Sequence, residues 1–363
     1  MVSSTLAAAR ARIAQLDIEI EKLQRLMDPL LTEREQCSQT LAEYKYPILT
    51  LPAEITSEIF LQFLPSYPHR PSFGESQSPS FLLQICRRWR DVALTTPALW
   101  SAVELMLEPH DHVRQRHLLD MWLQRSANCP LSIRLEYDME NGERIAIIRE
   151  CVRALLCHAS RWQDMEFVLP LESFRDIAGS MPLLRSLTIG IDDCDEVPGT
   201  PAALFADAPV LNHVVLHASF SPFFVRLPWS QITTLEAEAL YTDEAVEILR
   251  HSTMLLNCTL TILDGDPWAD SSIPPLPLRS LSLEYIAGGT HELRQLFRAL
   301  HLPLLETLAV HEIFLGPDPI AALSAVCRDR YPQEIEIFSA RISREIYAGA
   351  FPLASLSLHE SSD

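Results

Sequence analysis

The chain has 363 residues, 48% of them hydrophobic and 21% charged, with a formal net charge of −19. That length accommodates two or three units of about 100 to 200 residues, and the composition is that of a globular chain able to bury a sizeable core. The charge repels nucleic-acid phosphates and anionic lipid headgroups, so neither nucleic acid nor membrane is expected as a partner.

Residues 5–46 come first. Leu6, Ala9, Ile13, Leu16, Ile20, Leu23, Met27, Leu30, Arg34, Cys37, Leu41 and Tyr44 alternate at spacings of three and four. All but Arg34 are apolar or partly so, which makes a heptad seam. Pro29 lies inside it and is expected to kink or split the helix. Two readings stand side by side: a coiled coil that pairs two copies weakly through residues 5–28, or an amphipathic helix folded back on its own chain.

The second segment opens with PILTLPAEITSEIFLQFLP. Thr50 is a candidate N-cap, Pro52 suits a first helical turn, and Pro65 stops the helix. Ile55, Ile59, Phe60, Phe63 and Leu64 share one face of it. The stretch SYPHRPSFGESQSPS is expected to be an exposed loop. A further helix carries Leu82, Ile85, Cys86, Trp89, Val92 and Ala93 on one side and stops before Pro97.

Three ordered blocks stand out here: Leu51-Pro52-x-Glu54-Ile55-x-x-Glu58-Ile59-Phe60, then Cys86-Arg87-x-Trp89-Arg90-x-Val92-Ala93, then Thr96-Pro97-x-Leu99-Trp100. Together they closely resemble the F-box, in the variant of the expanded families of mushroom-type fungi. The loop at 65–80 is longer than in compact F-boxes. The resemblance implies a non-catalytic adaptor that binds a Skp-type protein and, through it, the cullin of an SCF-type ubiquitin ligase. The residues that would face that adaptor are Leu51, Pro52, Ile55, Ile59, Leu64, Trp89 and Val92.

From about residue 128 a weak internal repeat sets in. Pairs of apolar residues separated by one recur at Met165/Phe167, Leu187/Ile189, Val214/Leu216, Leu235/Ala237, Leu260/Ile262, Leu281/Leu283, Leu308/Val310, Ile335/Ile337 and Leu356/Leu358. They stand roughly 21 to 27 residues apart, within the leucine-rich-repeat range of about 20 to 29. Leu184, Leu211, Ile232, Leu278, Leu305 and Leu353 sit three residues before six of them. Asn257 and Pro332 interrupt that series, and the asparagine that usually closes the strand segment is missing, with Asp192 and Ile286 in its place. Segments 243–252 and 292–302 read as helices. The pattern resembles degenerate leucine-rich repeats, whose units must stack to bury their apolar faces. An ordinary α/β domain is the alternative.

The expected fold is therefore α/β: an N-terminal coiled coil or amphipathic helix over 1–46, a small all-α F-box over 47–107, and a leucine-rich-repeat-like solenoid over 108–363 that binds a protein substrate. In such a repeat the paired residues point inward and their neighbours line the concave face. Those neighbours include Asp164, Glu166, His213, His217, Thr234, Glu236, Glu238, Ser282, Glu284, His311, Glu334 and Glu336. This surface is rich in carboxylates, contains no Lys or Arg at the registered positions, and is expected to attract basic segments. Glu166, His213, Glu236, Glu238, Glu284, His311 and Glu336 are the substrate-binding candidates.

Other constellations carry less. His110, His112 and His117 have no completing cysteine or carboxylate cluster for a metal. Cys151 and Cys157 are read as core residues, and Asp192, Asp193, Asp195 and Glu196 as a solvated acidic loop. No nucleotide-binding, nucleophile-elbow or zinc-protease motif occurs, so neither enzyme activity nor a cofactor is expected. The eight cysteines form no C-x-x-C, and no leader or membrane-spanning run is seen. Both features suit a cytoplasmic or nuclear protein, either ligase adaptor or interaction scaffold.

Overall fold

The computed structural model describes residues 2–43, 47–74, 76–107, 111–137, 145–174, 177–190, 205–217, 226–263, 272–287, 291–327, 332–339, 347 and 355–359. The chain forms two compact units, Met1–Glu58 and Ile59–Asp363.

The first unit is mostly α1 (Val2–Glu43), one continuous helix with Pro29 inside it. The expected split at Pro29 does not occur. Proline removes one backbone donor, and the neighbouring turns carry side-chain bonds such as Thr32 Oγ1 to the Asp28 carbonyl, 2.9 Å. Every described α1 side chain from Leu6 to Leu41 is exposed, the seam residues Ile13, Leu16, Ile20 and Leu23 included. A 3-10 turn follows at Pro47–Thr50. There Thr50 bonds back to the Pro47 carbonyl and does not cap the next helix, α2 (Ala53–Phe63). The Pro52 carbonyl receives the first helical N–H, from Thr56, so Pro52 occupies the cap position.

In the second unit, the single helix expected over 82–93 is two helices, α3 (Pro79–Ile85) and α4 (Arg87–Leu94). Cys86 between them is extended, at φ −157° and ψ 167°. The groups orphaned by the break find partners: Cys86 Sγ accepts from the Trp89 N–H, and Arg90 Nε donates to the Leu83 carbonyl. Trp100 then closes the segment, fully buried, with its indole donating to the Ala93 carbonyl.

Among the described residues, eleven parallel strands make one sheet in strict chain order: β1 (Ala102–Leu107), β2 (Leu131–Tyr137), β3 (Trp162–Val168), β4 (Ser186–Gly190), β5 (His213–Leu216), β6 (Thr234–Tyr241), β7 (Asn257–Leu263), β8 (Ser280–Ala287), β9 (Thr307–His311), β10 (Glu334–Phe338) and β11 (Ser355–His359). Parallel neighbours require crossovers. These include α5 (His112–Arg125), α6 (Ile145–Leu156), α7 (Leu171–Phe174), α8 (Thr242–His251), α9 (His291–Ala299) and α10 (Pro319–Val326). Helices α8 and α9 lie where the sequence places them.

Alternation along each strand sorts the side chains. Val103, Ile133, Met165, Leu187, Val214, Leu235, Cys258, Leu281, Leu308, Ile335 and Leu356 form one buried row in register. They share a core with Val246 and Leu249 of α8, Leu293 and Phe297 of α9, and Leu323 of α10. The opposite parity forms the other face. A backbone device repeats with the strands: one carbonyl accepts the two N–H groups that begin the next strand, as Arg185 does from Asn212 and His213, and Thr233 from Leu256 and Asn257.

Two sequence readings shift here. In β7 the inward pair is Cys258/Leu260, opposite Leu235/Ala237 and Leu281/Leu283, and not Leu260/Ile262. Cysteine acts as a small hydrophobe at that position and hid the register. Asn257 then lies in the outward row between Thr234 and Ser280, and buried Leu255 fills the preceding apolar position, as buried Pro332 does before Ile335. The strands also start earlier than expected: β1 lies inside the segment 47–107 expected to be all-α, and its Val103/Leu105 stand in the same rows as Ile133/Leu135 of β2. Leu353, His110, Cys194 and the acidic run Asp192, Asp193, Asp195 and Glu196 lie outside the described residues.

Candidate functional site

The outward row of the first four strands is already occupied by the chain itself. The stretch 65–80, expected to be an exposed loop, crosses this face, with Arg70, Pro71, Ser78 and Pro79 buried. Arg70 Nη1 donates to Glu166 Oε2 at 2.8 Å, and its Nε donates to Ser132 Oγ at 2.9 Å. The Tyr67 hydroxyl reaches Ser186 Oγ at 3.4 Å, and the Arg70 guanidinium lies 6.0 Å from the Tyr67 ring centre. Pro71 accepts from the Glu104 N–H at the edge of β1.

Arg134 stands beside this contact. It bonds Glu136 at 2.7 Å and lies 3.3 Å from Glu166 and 3.7 Å from Glu104. Burial lowers its pKa, but the Glu136 hydrogen bond and the three carboxylates raise it on balance above the ordinary arginine value. Burial also lifts the Asp164 carboxyl above the ordinary carboxylate range, against the pull of Arg70, Arg185 and His213. The registered positions hold no Lys or Arg, but over β1–β3 Arg70 and Arg134, which lie outside them, stand against Glu166. Glu166, with a side chain only 14% exposed, is held by two arginines of its own chain.

Over β5 and β6 the candidates pair with one another. His213 Nδ1 meets Ser186 Oγ at 3.2 Å, and its Nε2 lies 3.5 Å from Glu236, long for a hydrogen bond. His217 lies 3.3 Å from Glu238. Over β8–β11 the face opens into a trough of about 360 Å³ lined by Ser280, Ser282, Thr307, Ala309, Glu334 and Glu336, among others. At the strand ends a second recess of about 250 Å³ is lined by Glu284, Tyr285, His311 and Phe338. Glu284 and His311 therefore line one recess, and Glu336 lines the trough. Tyr285, Phe338 and His359 were not singled out by the sequence, although Phe338 and His359 follow their apolar pairs just as His311 follows Leu308/Val310.

The seven adaptor-facing candidates divide between the units. In the first, Leu51 is half-buried, Pro52 is exposed, and Ile55 is 50% exposed. In the second, Ile59 is 45% exposed and Leu64 is half-buried. Trp89 is half-buried and meets Phe60 edge-on at 5.0 Å, with no acceptor for its indole N–H among the described residues. Val92 is buried in the core. Phe81 and Ile85 of α3 are also exposed, and Phe63 stacks on Phe81 at 6.3 Å.

The cysteines sort by depth. Cys151, Cys258 and Cys327 are buried, and burial raises their thiol pKa values, to about 11 for Cys151 and Cys327. Cys157, expected in the core, is exposed. Among the described residues no group of three or more His, Cys, Asp or Glu is placed to hold a metal ion, and no helix is long and apolar enough to cross a membrane.

Compared with known protein families and curated proteins, the chain matches no family model and no curated protein.

Proposed function

We propose that the chain is a non-catalytic, cytoplasmic or nuclear adaptor of an SCF-type ubiquitin ligase. Residues 47–107 act as an F-box that engages a Skp-type adaptor and, through it, a cullin. The stacked strands act as a leucine-rich-repeat-like solenoid that receives a protein substrate on its outward row.

The observation that carries the adaptor role is the apolar surface left open on the helices that hold the F-box-like blocks. Ile59, Phe81 and Ile85 are each more than two-fifths exposed on short helices, while Phe60 and Leu82 beside them are fully buried. Large exposed apolar side chains concentrated on small helices mark surfaces that a partner covers. Supporting the receptor role, eleven strands present a row of polar side chains with a trough and a recess in it.

Co-purification from the native cell tests the reading. A tagged full-length chain is expected to retrieve a Skp-type adaptor together with a cullin, and the Ile59→Asp variant neither. Retrieval of other proteins without either ligase component would replace this reading with that of an interaction scaffold.

A further inference from the structure

Two ring pairs flank the recess at the ends of β8–β11. Tyr285 and His311 lie 5.7 Å apart at 56°, and Phe338 and His359 lie 5.4 Å apart at 23°. Both pairs are edged by carboxylate. Glu284 lines the recess, and Glu336 Oε1 lies 2.6 Å from His359 Nε2. His311 Nδ1 accepts the Ile313 N–H at 3.2 Å, which fixes the orientation of the ring. A recess lined by aromatic rings and edged by a carboxylate suits a flat cation, through the ring quadrupoles and the carboxylate charge together.

The same sheet shows the chemistry within the chain. Where residues 67–72 cross β1–β4, a guanidinium is held by a carboxylate (Glu166), a hydroxyl (Ser132) and an aromatic ring (Tyr67). The recess at β8–β11 offers a comparable set, with Glu284 as its carboxylate and Tyr285 and Phe338 as rings, beside the Glu336 carboxylate and the serine and threonine hydroxyls of the adjoining trough. The trough is floored by small side chains, which leaves room for an extended backbone.

We propose that this recess is an arginine pocket: it takes the guanidinium of a substrate segment laid across β8–β11, as Arg70 is taken across β1–β4. The inference rests on the receptor reading above and names the chemistry of what is received. Arginine fits better than lysine because a planar fork can lie against a ring and bond a carboxylate at once, whereas an ammonium is a compact point charge.

The test uses the full chain with histidine rings labelled for NMR and a small probe, N-acetyl-arginine methylamide. Binding is expected to move the His311 and His359 signals with a dissociation constant in the low-millimolar range, about −3 to −4 kcal/mol. The citrulline analogue, neutral and of the same shape, is expected to bind at least tenfold more weakly. Glu284→Gln with Glu336→Gln, both on exposed side chains, is expected to weaken the arginine probe by a similar factor while leaving thermal unfolding unchanged. An arginine probe that moves neither histidine, or binds no better than citrulline, overturns the proposal. The measurement involves no ligase component. Arginine binding without co-purified adaptor therefore leaves the pocket standing and removes the ligase reading, and the reverse outcome does the opposite.

Discussion

Arg70 is held by groups on three strands or segments: the Glu166 carboxylate on β3, the Ser132 hydroxyl on β2, and the Tyr67 ring of its own loop. A hydrogen bond to a charged group contributes about 1.5–3 kcal/mol, and stripping one partner from a buried pair costs about 3–5 kcal/mol. Glu166 keeps Arg134 at 3.3 Å, so its charge is not stranded by loss of Arg70. Arg70→Ala is therefore expected to destabilise the protein by about 2 kcal/mol in urea unfolding, and to speed amide exchange over 67–72. Arg70→Lys restores the charge but not the fork and should recover only part of this loss. A change below about 0.5 kcal/mol, within the range of ordinary surface substitutions, would mean that the loop is not anchored through Arg70.

At the scale of elements, α1 states its case most simply. Ile13 and Ile20 hold one seam position and Leu16 and Leu23 the other, the combination that favours parallel two-stranded coils, and all four are exposed along an unbroken helix. Concentration-dependent dimerisation is expected in sedimentation at tens of micromolar, with Ile13→Asp plus Ile20→Asp abolishing it. A wild-type monomer under those conditions would mean that the seam pairs with something other than a second copy. The repeat strands were legible for the reason that makes them stable: alternation that buries Leu187 and Ile189 leaves an L-x-L trace in the sequence. The trace fades where chemistry blurs it. Cys258 does not look like leucine, and Val103/Leu105 sit so close behind Trp100 that they read as the tail of the preceding helices. Least legible was the loop crossing, since Arg70 meets partners 62 and 96 residues away. No local pattern encodes such a contact. The ring pairs of the recess were invisible for the same reason: Tyr285, Phe338 and His359 meet only after three crossovers.

Considered whole, the sequence confines its lysines to the segment before the F-box-like blocks. Lys22 and Lys45 are its only lysines, and every cationic side chain after residue 45 other than histidine is arginine. A ubiquitin thioester transfers its C-terminal carbonyl to an amine with release of the thiol, and the guanidinium does not serve as that amine at neutral pH. In a reconstituted ligation without substrate, modification of the chain is therefore expected only at Lys22, Lys45 or the α-amino group. Lys22→Arg with Lys45→Arg should remove the side-chain adducts and leave adaptor binding intact. Ubiquitin found on the sheet-bearing unit, through serine, threonine or cysteine, would contradict this. All of it depends on the proposed F-box at 47–107. The most direct measurement is isothermal titration of the full chain with a purified Skp-type adaptor. The account predicts a dissociation constant of about 1 µM or tighter, weakened at least thirtyfold, about 2 kcal/mol, by Ile59→Asp without loss of helix signal. No heat of binding from folded wild-type protein would contradict it.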